Sequence, residues 1–305
     1  MSIGGAVGLT IVITLILTVA ICAAIYFMLL KQDCDECPVC ENDSNDDNDA
    51  EPSNDAEPSN DVEPSNDQPI DGPINDQDIE GKTYSFPVFA NGEAVFNDCT
   101  FNVTAEMLSR HSELTRVEFN NCEFKNSMLS MLEACDNLKE VEFNDCKFTN
   151  VHNTYYLFQS CSSLESVIFN NSKLKPVQNS LGYSSIGSMF NDCTSLKSID
   201  LSSIDISDVT GIGELFSGCS NLERVNLEGW KFNNCKKDDS LLVFDGCKSL
   251  QWLKLDDDQF EVSIGEDADG KTQSIELIVA NNQRVYTGLD IVGELDADGF
   301  LNVKW

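Results

Sequence analysis

One pattern recurs six times along this chain and limits its fold more than any other feature. Each copy has an apolar residue and then Phe or Leu, a Cys (His in the first copy) three positions on, a Leu three further, then two apolar residues at alternate positions. The copies occupy residues 106–119, 130–143, 156–169, 188–201, 214–227 and 242–255. Their Cys column reads His111, Cys135, Cys161, Cys193, Cys219 and Cys247, at spacings of 24, 26, 32, 26 and 28 residues. The alternation at the end of each copy is that of a short strand. One such unit cannot bury its own apolar edge, whereas stacked units bury one another's. Leu114, Leu138, Leu164, Leu196, Leu222 and Leu250 therefore form one expected core column. Val117, Val141, Val167, Ile199, Val225 and Leu253 form a second, and Phe119, Phe143, Phe169, Leu201, Leu227 and Leu255 a third. A degenerate earlier copy supplies Ala94, Phe96, Cys99 and Phe101. The expected fold is a solenoid with a parallel β ladder of about seven rungs and short helical or irregular returns.

The stretch SMFNDCTSLKSIDLSSIDISDVTGIGELFSGCSNLERVNLEGW resembles the BspA-like leucine-rich repeat, whose copies read roughly MFxGCSSLxxLDLSxFDTSxVTNM. The similarity is close over residues 187–230 and looser over 105–260. It implies a leucine-rich-repeat solenoid and a place among surface proteins of microbes and protists that adhere or bind proteins. It says little about activity.

Upstream of the repeats the composition changes twice. Residues 7–30 hold no charge, and at about 1.5 Å per residue they exceed the roughly 30 Å hydrocarbon core, so a transmembrane helix is expected there behind a short tail, 1–6. A cleaved signal peptide fits less well, because no basic segment precedes the run and it is about twice a usual apolar core. Only Lys31 flanks the span, so orientation rests on little; a single-pass topology with the C-terminal domain outside the cell or exposed on a virion is the expectation. The anchor and the cysteines behind it also resemble membrane proteins of large DNA viruses.

Residues 31–81 read as an acidic, disordered stalk. Eighteen Asp or Glu lie within 33–80, and DAEPSN, DAEPSN and DVEPSN repeat at a period of six. Like charges and prolines extend such a segment, which would hold the repeats off the bilayer. Its Cys34, Cys37 and Cys40 have no fourth ligand nearby for structural zinc. Interchain disulfides, giving a homo-oligomer, and lipidation both remain open for them. With a net charge of −33, nucleic acid is not an expected partner.

Nine of the thirteen cysteines lie in the repeats, most of them in two columns led by Cys135 and by Cys99, Cys122 and Cys146. Ser172, Ile204 and Trp230 replace Cys in the second column, which favours free packing thiols over disulfides. Cys235 falls off register and reads as exposed.

Outward positions of the ladder make the candidate concave binding face: Arg116, Glu118, Asn120, Glu142, Asn144, Asn170, Asp200, Arg224, Asn226, Trp252 and Lys254. Stacked Asn side chains have a structural reading, an amide ladder, beside the functional one. Trp252 beside Lys254 is the expected aromatic anchor. Asn102 and Asn170 stand in glycosylation sequons.

No catalytic, metal or cofactor set is expected. His111 and His152 lack a partner motif, and a carboxylate pair such as Glu118 and Glu142 arises easily on neighbouring rungs. Two DADG tetrapeptides depart from the calcium-loop pattern and read as turns of β-hairpins capping the solenoid. The domains expected are thus the tail, anchor and stalk, repeats over 82–260 and a hairpin cap over 261–305. The function expected is non-enzymatic binding of a protein or glycan at a surface. The alternative is a structural membrane or virion protein whose repeats pack against neighbours.

Overall fold

The computed structural model describes residues 69–79, 88–102, 106–265 and 272–305. The expected anchor at 7–30, the DAEPSN repeats, Cys34, Cys37 and Cys40, and the first DADG turn lie outside them. No helix among the described residues is long and apolar enough to cross a membrane.

The repeats build a parallel β-solenoid of about seven turns. Its first sheet stacks β1 (Ile74–Asn75), β3 (Glu93–Asn97), β5 (Arg116–Asn120), β7 (Glu140–Asn144) and β9 (Ser166–Asn170) in that order, all parallel. A second sheet stacks β2 (Asp78–Ile79), β4 (Thr100–Phe101), β6 (Glu123–Ser127) and β8 (Lys147–Asn153). Its carrier in the sequence is the short C-x-F alternation after β3, β5 and β7, which places Phe101 against Phe124 and Phe124 against Phe148. In the C-terminal half the ladder resumes with β10 (Ser198–Asp200), β11 (Arg224–Asn226) and β12 (Trp252–Lys254).

The solenoid starts upstream of the expected boundary at residue 82. Ile70 bridges to Phe89, and β1 and β2 pair in register with β3 and β4. Ile79 is buried, while Ile70 and Ile74 pack against the core. Three isoleucines at the end of an acidic segment suffice to make a terminal rung.

Of the two forms expected for the returns, helical or irregular, the structure has the irregular one. The only helical segment among the described residues is a three-residue 3-10 turn, Ala280–Asn282. Each return is a chain of turns whose alternate N–H groups donate to the next rung, as Leu108 to Met131, Leu132 to Leu157, Phe158 to Met189, Phe190 to Leu215 and Phe216 to Val243. Each turn run places two residues, four apart, in the left-handed region: Ser130 and Ala134, Tyr156 and Ser160, Ser188 and Asp192, Glu214 and Gly218. That backbone directs N–H and C=O groups along the solenoid axis, where an α-helix would spend them within itself. It also accounts for Gly218 and Gly246 immediately before Cys219 and Cys247, since glycine takes a positive φ without steric cost.

All three expected apolar columns lie in the core, with Phe169 half-buried at its edge. Aromatic rings reinforce them. Phe96, Phe119, Phe143 and Phe169 stack at 5.2, 5.1 and 4.9 Å, and Phe101, Phe124 and Phe148 stack beside them at 4.8 and 5.4 Å. Under the turn side, Phe158, Phe190, Phe216 and Phe244 stack at 5.3, 5.5 and 5.6 Å.

The cysteines of the ladder are free and buried. Cys235 is among them, fully enclosed with its Sγ 3.5 Å from the Val209 carbonyl, and not exposed as its register suggested. Being off register only places it at a different corner of the same core. In the leading column each thiol donates to a carbonyl of the preceding rung: Cys135 to Leu108, Cys161 to Leu132, Cys193 to Phe158, Cys219 to Phe190 and Cys247 to Phe216, at 3.0–3.1 Å. The second column repeats the arrangement with Cys122 on Phe96 and Cys146 on Phe119. Its replacements keep the donor, because Ser172 Oγ reaches Phe143 at 2.9 Å and Trp230 Nε1 reaches Leu201 at 2.9 Å. Ile204 alone supplies none. Burial pushes the Cys135 and Cys247 thiols up to about 12, so both keep their protons at neutral pH.

At most positions these columns therefore carry a hydrogen-bond donor as well as a packing group. Cys193→Val is expected to cost about 0.5–1.5 kcal/mol by removing one of the two hydrogen bonds that the Phe158 carbonyl accepts, the other coming from the Cys161 N–H, and Cys193→Ser less. Urea unfolding of the two variants checks this, and equal losses would mean that only volume matters at this position.

The C-terminal end is closed by an antiparallel meander: β13 (Phe260–Gly265), β14 (Thr272–Val279), β15 (Gln283–Ile291) and β16 (Leu301–Lys304). β16 pairs antiparallel with β12, so the last rung of the parallel ladder has a partner instead of an open edge. The alternating FEVSI and FLNVKW segments thus form cap strands.

Candidate functional site

On the outward face of the first sheet, Asn75, Asn97, Asn120, Asn144 and Asn170 form a continuous amide ladder. Each Nδ2 donates to the Oδ1 of the rung before, at 2.7–2.9 Å. The in-register parallel pairing creates it, because identical residues meet at each rung. Asn170 ends the row, and its amide nitrogen, the atom a glycan would modify, is engaged with Asn144. For the other sequon only Asn102 lies among the described residues.

Beside the ladder, Arg116 gathers three carboxylates: Glu118 at 2.5 Å, Glu142 at 2.9 Å and Glu140 at 3.4 Å. Burial raises the Glu118 carboxyl, but its bonds to Arg116 and Asn120 outweigh that and hold it below the usual range. Glu118 and Glu142 are therefore neighbours bridged by one guanidinium.

The C-terminal part of the expected face is occupied by the cap. The Arg224 guanidinium lies over the Phe300 ring at 3.4 Å and reaches Asp296 at 3.1 Å and Asp298 at 3.6 Å. Lys254 binds Glu228 at 2.9 Å. Trp252 is half-buried on the strand that β16 covers, so it lacks the exposure expected of an anchor. In the second DADG turn, Asp296 accepts from the Asp298 and Phe300 backbone N–H groups at 2.9 Å. Its carboxylate closes its own loop, as expected of a hairpin turn. Asp200 is exposed and accepts from Ser202 at 2.6 Å, and Asn226 accepts from the Glu228 backbone. His111 bonds Glu113 at 2.7 Å and meets the Phe89 ring edge-on, as a core residue would. Among the described residues no cluster of His, Cys, Asp or Glu could hold a metal ion.

The expected face thus divides into a self-bonded row and a capped end. Two openings lie elsewhere. The ladder breaks between β9 and β10, which belong to different sheets, where the repeat spacing lengthens to 32 residues. An open groove of about 670 Å³ lies near there, walled by Phe148 and Phe169 with Lys147 and Lys173. A second cleft, about 300 Å³, sits on the turn side among Tyr155, Tyr183, Glu214, Asp238, Leu241 and Leu242. None of these residues was among the sequence candidates. A signal for the second cleft was present in the aligned copies, because IGS and GIG put Gly187 and Gly213 where other rungs carry Tyr155 and Leu241.

A family model described as "Mycoplasma protein of unknown function, DUF285" matches residues 126–253. That span runs from the end of β6 to β12 and so covers most of the rungs. The match thus falls on the repeats of the parallel solenoid. No curated protein and no solved structure gives a significant match.

Proposed function

We propose that this chain is a non-enzymatic, membrane-anchored surface protein whose solenoid recognises a protein or glycan partner. The observation that supports it most directly is the architecture. About seven in-register rungs make a rigid scaffold, and outward residues recur in columns along it, which is how repeat proteins present extended binding surfaces. The sequence resemblance to BspA-like repeats and the apolar run at 7–30 support the same reading, in which the solenoid stands outside the cell or virion on a single-pass anchor.

The second reading, a packing role in an assembly, draws on a separate feature. β13 is the edge of its sheet, and Val262 and Ile264 on it are 43% and 71% exposed. A free strand edge with apolar side chains is suited to pairing with a neighbour.

Vesicles carrying the full chain, incubated with a panel of cells, separate the two. Saturable binding that protease or glycosidase treatment of the cells removes is the expected result, and the treatment that succeeds names the partner class. Absence of saturable binding, with crosslinking capturing only other copies of the chain, would overturn recognition in favour of assembly.

A further inference from the structure

The turn-side cleft is a gap in a column of side chains. Backbone carbonyls of Tyr155, Gly187, Gly213 and Leu241 accept in turn from Ser130, Tyr156, Ser188 and Glu214, so these four residues stack on successive rungs. Tyr155 and Leu241 therefore stand three rungs apart, roughly 14 Å, with two glycines between them. In the adjacent column Gly211 lies between Ser185 and Asp239. The floor is built close. A Cβ on Gly187 would meet the Tyr155 ring at 2.6 Å and the Gly213 carbonyl at 2.9 Å, and one on Gly213 would meet the Asp239 carbonyl at 3.1 Å. None of these three glycines has a positive φ, so space and not backbone strain requires them.

The longer repeat then adds a wall. Its inserted loop is closed by Asn179, whose Oδ1 accepts from the Leu181 and Tyr183 backbone N–H groups and whose own N–H donates to the Tyr183 carbonyl. The loop carries Tyr183 to the cleft and leaves Leu181 76% exposed. Leu241 and Leu242 at the opposite wall are 45% and 55% exposed. Glu214, Asp238 and Asp239 complete the lining, which contains no Lys, Arg or His. None of the three carboxylates is ion-paired among the described residues, and the Glu214 carboxylate accepts only from Ser188 at 3.3 Å. Tyrosine rings, uncompensated carboxylates and exposed leucines together complement one kind of group, an organic cation on an aliphatic stem with apolar neighbours.

We infer that this cleft binds an arginine or lysine side chain, flanked by apolar residues, of a partner protein. The cation lies against Tyr155 and Tyr183 and between the carboxylates, its stem crosses the glycine floor, and its neighbours cover Leu241 and Leu242. This rests on the recognition reading above and supplies it with a surface and a partner chemistry.

The chain has six tyrosines, so full-length protein labelled with 3-fluorotyrosine gives a small fluorine spectrum in which Tyr155→Phe and Tyr183→Phe assign two signals. The probes are the acetylated, amidated tripeptides Leu-Arg-Leu, Leu-Lys-Leu and Leu-Glu-Leu. Saturable shifts of the Tyr155 and Tyr183 signals with a basic peptide, and none with the acidic one, are expected. Asp238→Lys with Asp239→Lys, both exposed, should weaken that binding at least about tenfold while leaving the melting curve unchanged. No saturable shift with either basic peptide, an equal response to the acidic one, or undiminished binding by the double variant overturns the assignment. Its failure alongside intact cell binding by the vesicles would remove the cleft and leave recognition standing; cleft binding without cell binding would do the reverse.

Discussion

Leu196→Asp leaves the solenoid unfolded at 25 °C and neutral pH. Leu196 is fully enclosed in the leucine column, on the rung between Leu164 and Leu222. A carboxylate there would lose its hydration with no cation to meet it, at a cost of several kcal/mol beyond the lost packing. Domains of this kind have about 5–15 kcal/mol in all, so one such charge removes most or all of the margin. Leu196→Met, which keeps volume and polarity, should cost less than about 1.5 kcal/mol and controls for disturbance of the site. The acid branch gives a second check. Burial raises the folded-state pKa of the new carboxyl above its unfolded value, so its penalty is full at neutral pH and shrinks as the group protonates. Relative to the parent chain at each pH, the variant should regain stability on acidification. A variant that melts cooperatively within about 2 kcal/mol of the parent at pH 7 would sink the assigned register.

That register was legible because the period itself is the signal. Leu114, Leu138, Leu164, Leu196, Leu222 and Leu250 recur with their apolar neighbours, and all six are buried. The free state of the ladder thiols was legible too, through replacements that could not pair. What those replacements share was harder to see. Ser172 and Trp230 resemble cysteine only in donating a hydrogen bond, and their acceptors, Phe143 and Leu201, belong to the previous rung. A one-dimensional reading sees which side chain stands in a column, and does not see which carbonyl lies above it.

The candidate face shows the same division. Its strands and outward positions follow from alternation, and Asn120, Asn144 and Asn170 do form a row. Its availability depends on segments far along the chain. Arg224 meets Phe300, Asp296 and Asp298 only because β16 turns back onto β12. The turn-side cleft depends on where residues are small, at Gly187, Gly211 and Gly213, and a search for chemistry-bearing side chains passes over glycine. The return segments left two forms open, helical or irregular, for a related reason. MLSMLEAC and SMFNDC have helical composition, yet their N–H groups are committed to the next rung, so stacking overrides local propensity.

Phe119→Ala should be among the most damaging truncations in the solenoid, costing about 4–5 kcal/mol. Phe119 is fully buried and meets four rings: Phe96 and Phe143 stacked at 5.2 and 5.1 Å, Phe101 and Phe124 edge-on at 5.6 and 5.1 Å. It stands where the two aromatic columns interlock, so its loss opens a cavity that neither sheet can close alone. Each aromatic pair adds about 0.5–1.5 kcal/mol beyond burial. Phe148 is the comparison, because it ends its column half-buried beside the break in the ladder, with Phe124 stacked at 5.4 Å. Phe148→Ala should cost about half as much, since part of that surface already faces water. Solenoid stability is a sum of rungs and their interfaces, so the Phe119 variant should also broaden the urea transition, as rungs on either side of the defect begin to melt separately. Equal losses for the two variants would mean that the aromatic columns do not interlock at Phe119, and that the second sheet is not seated against the first.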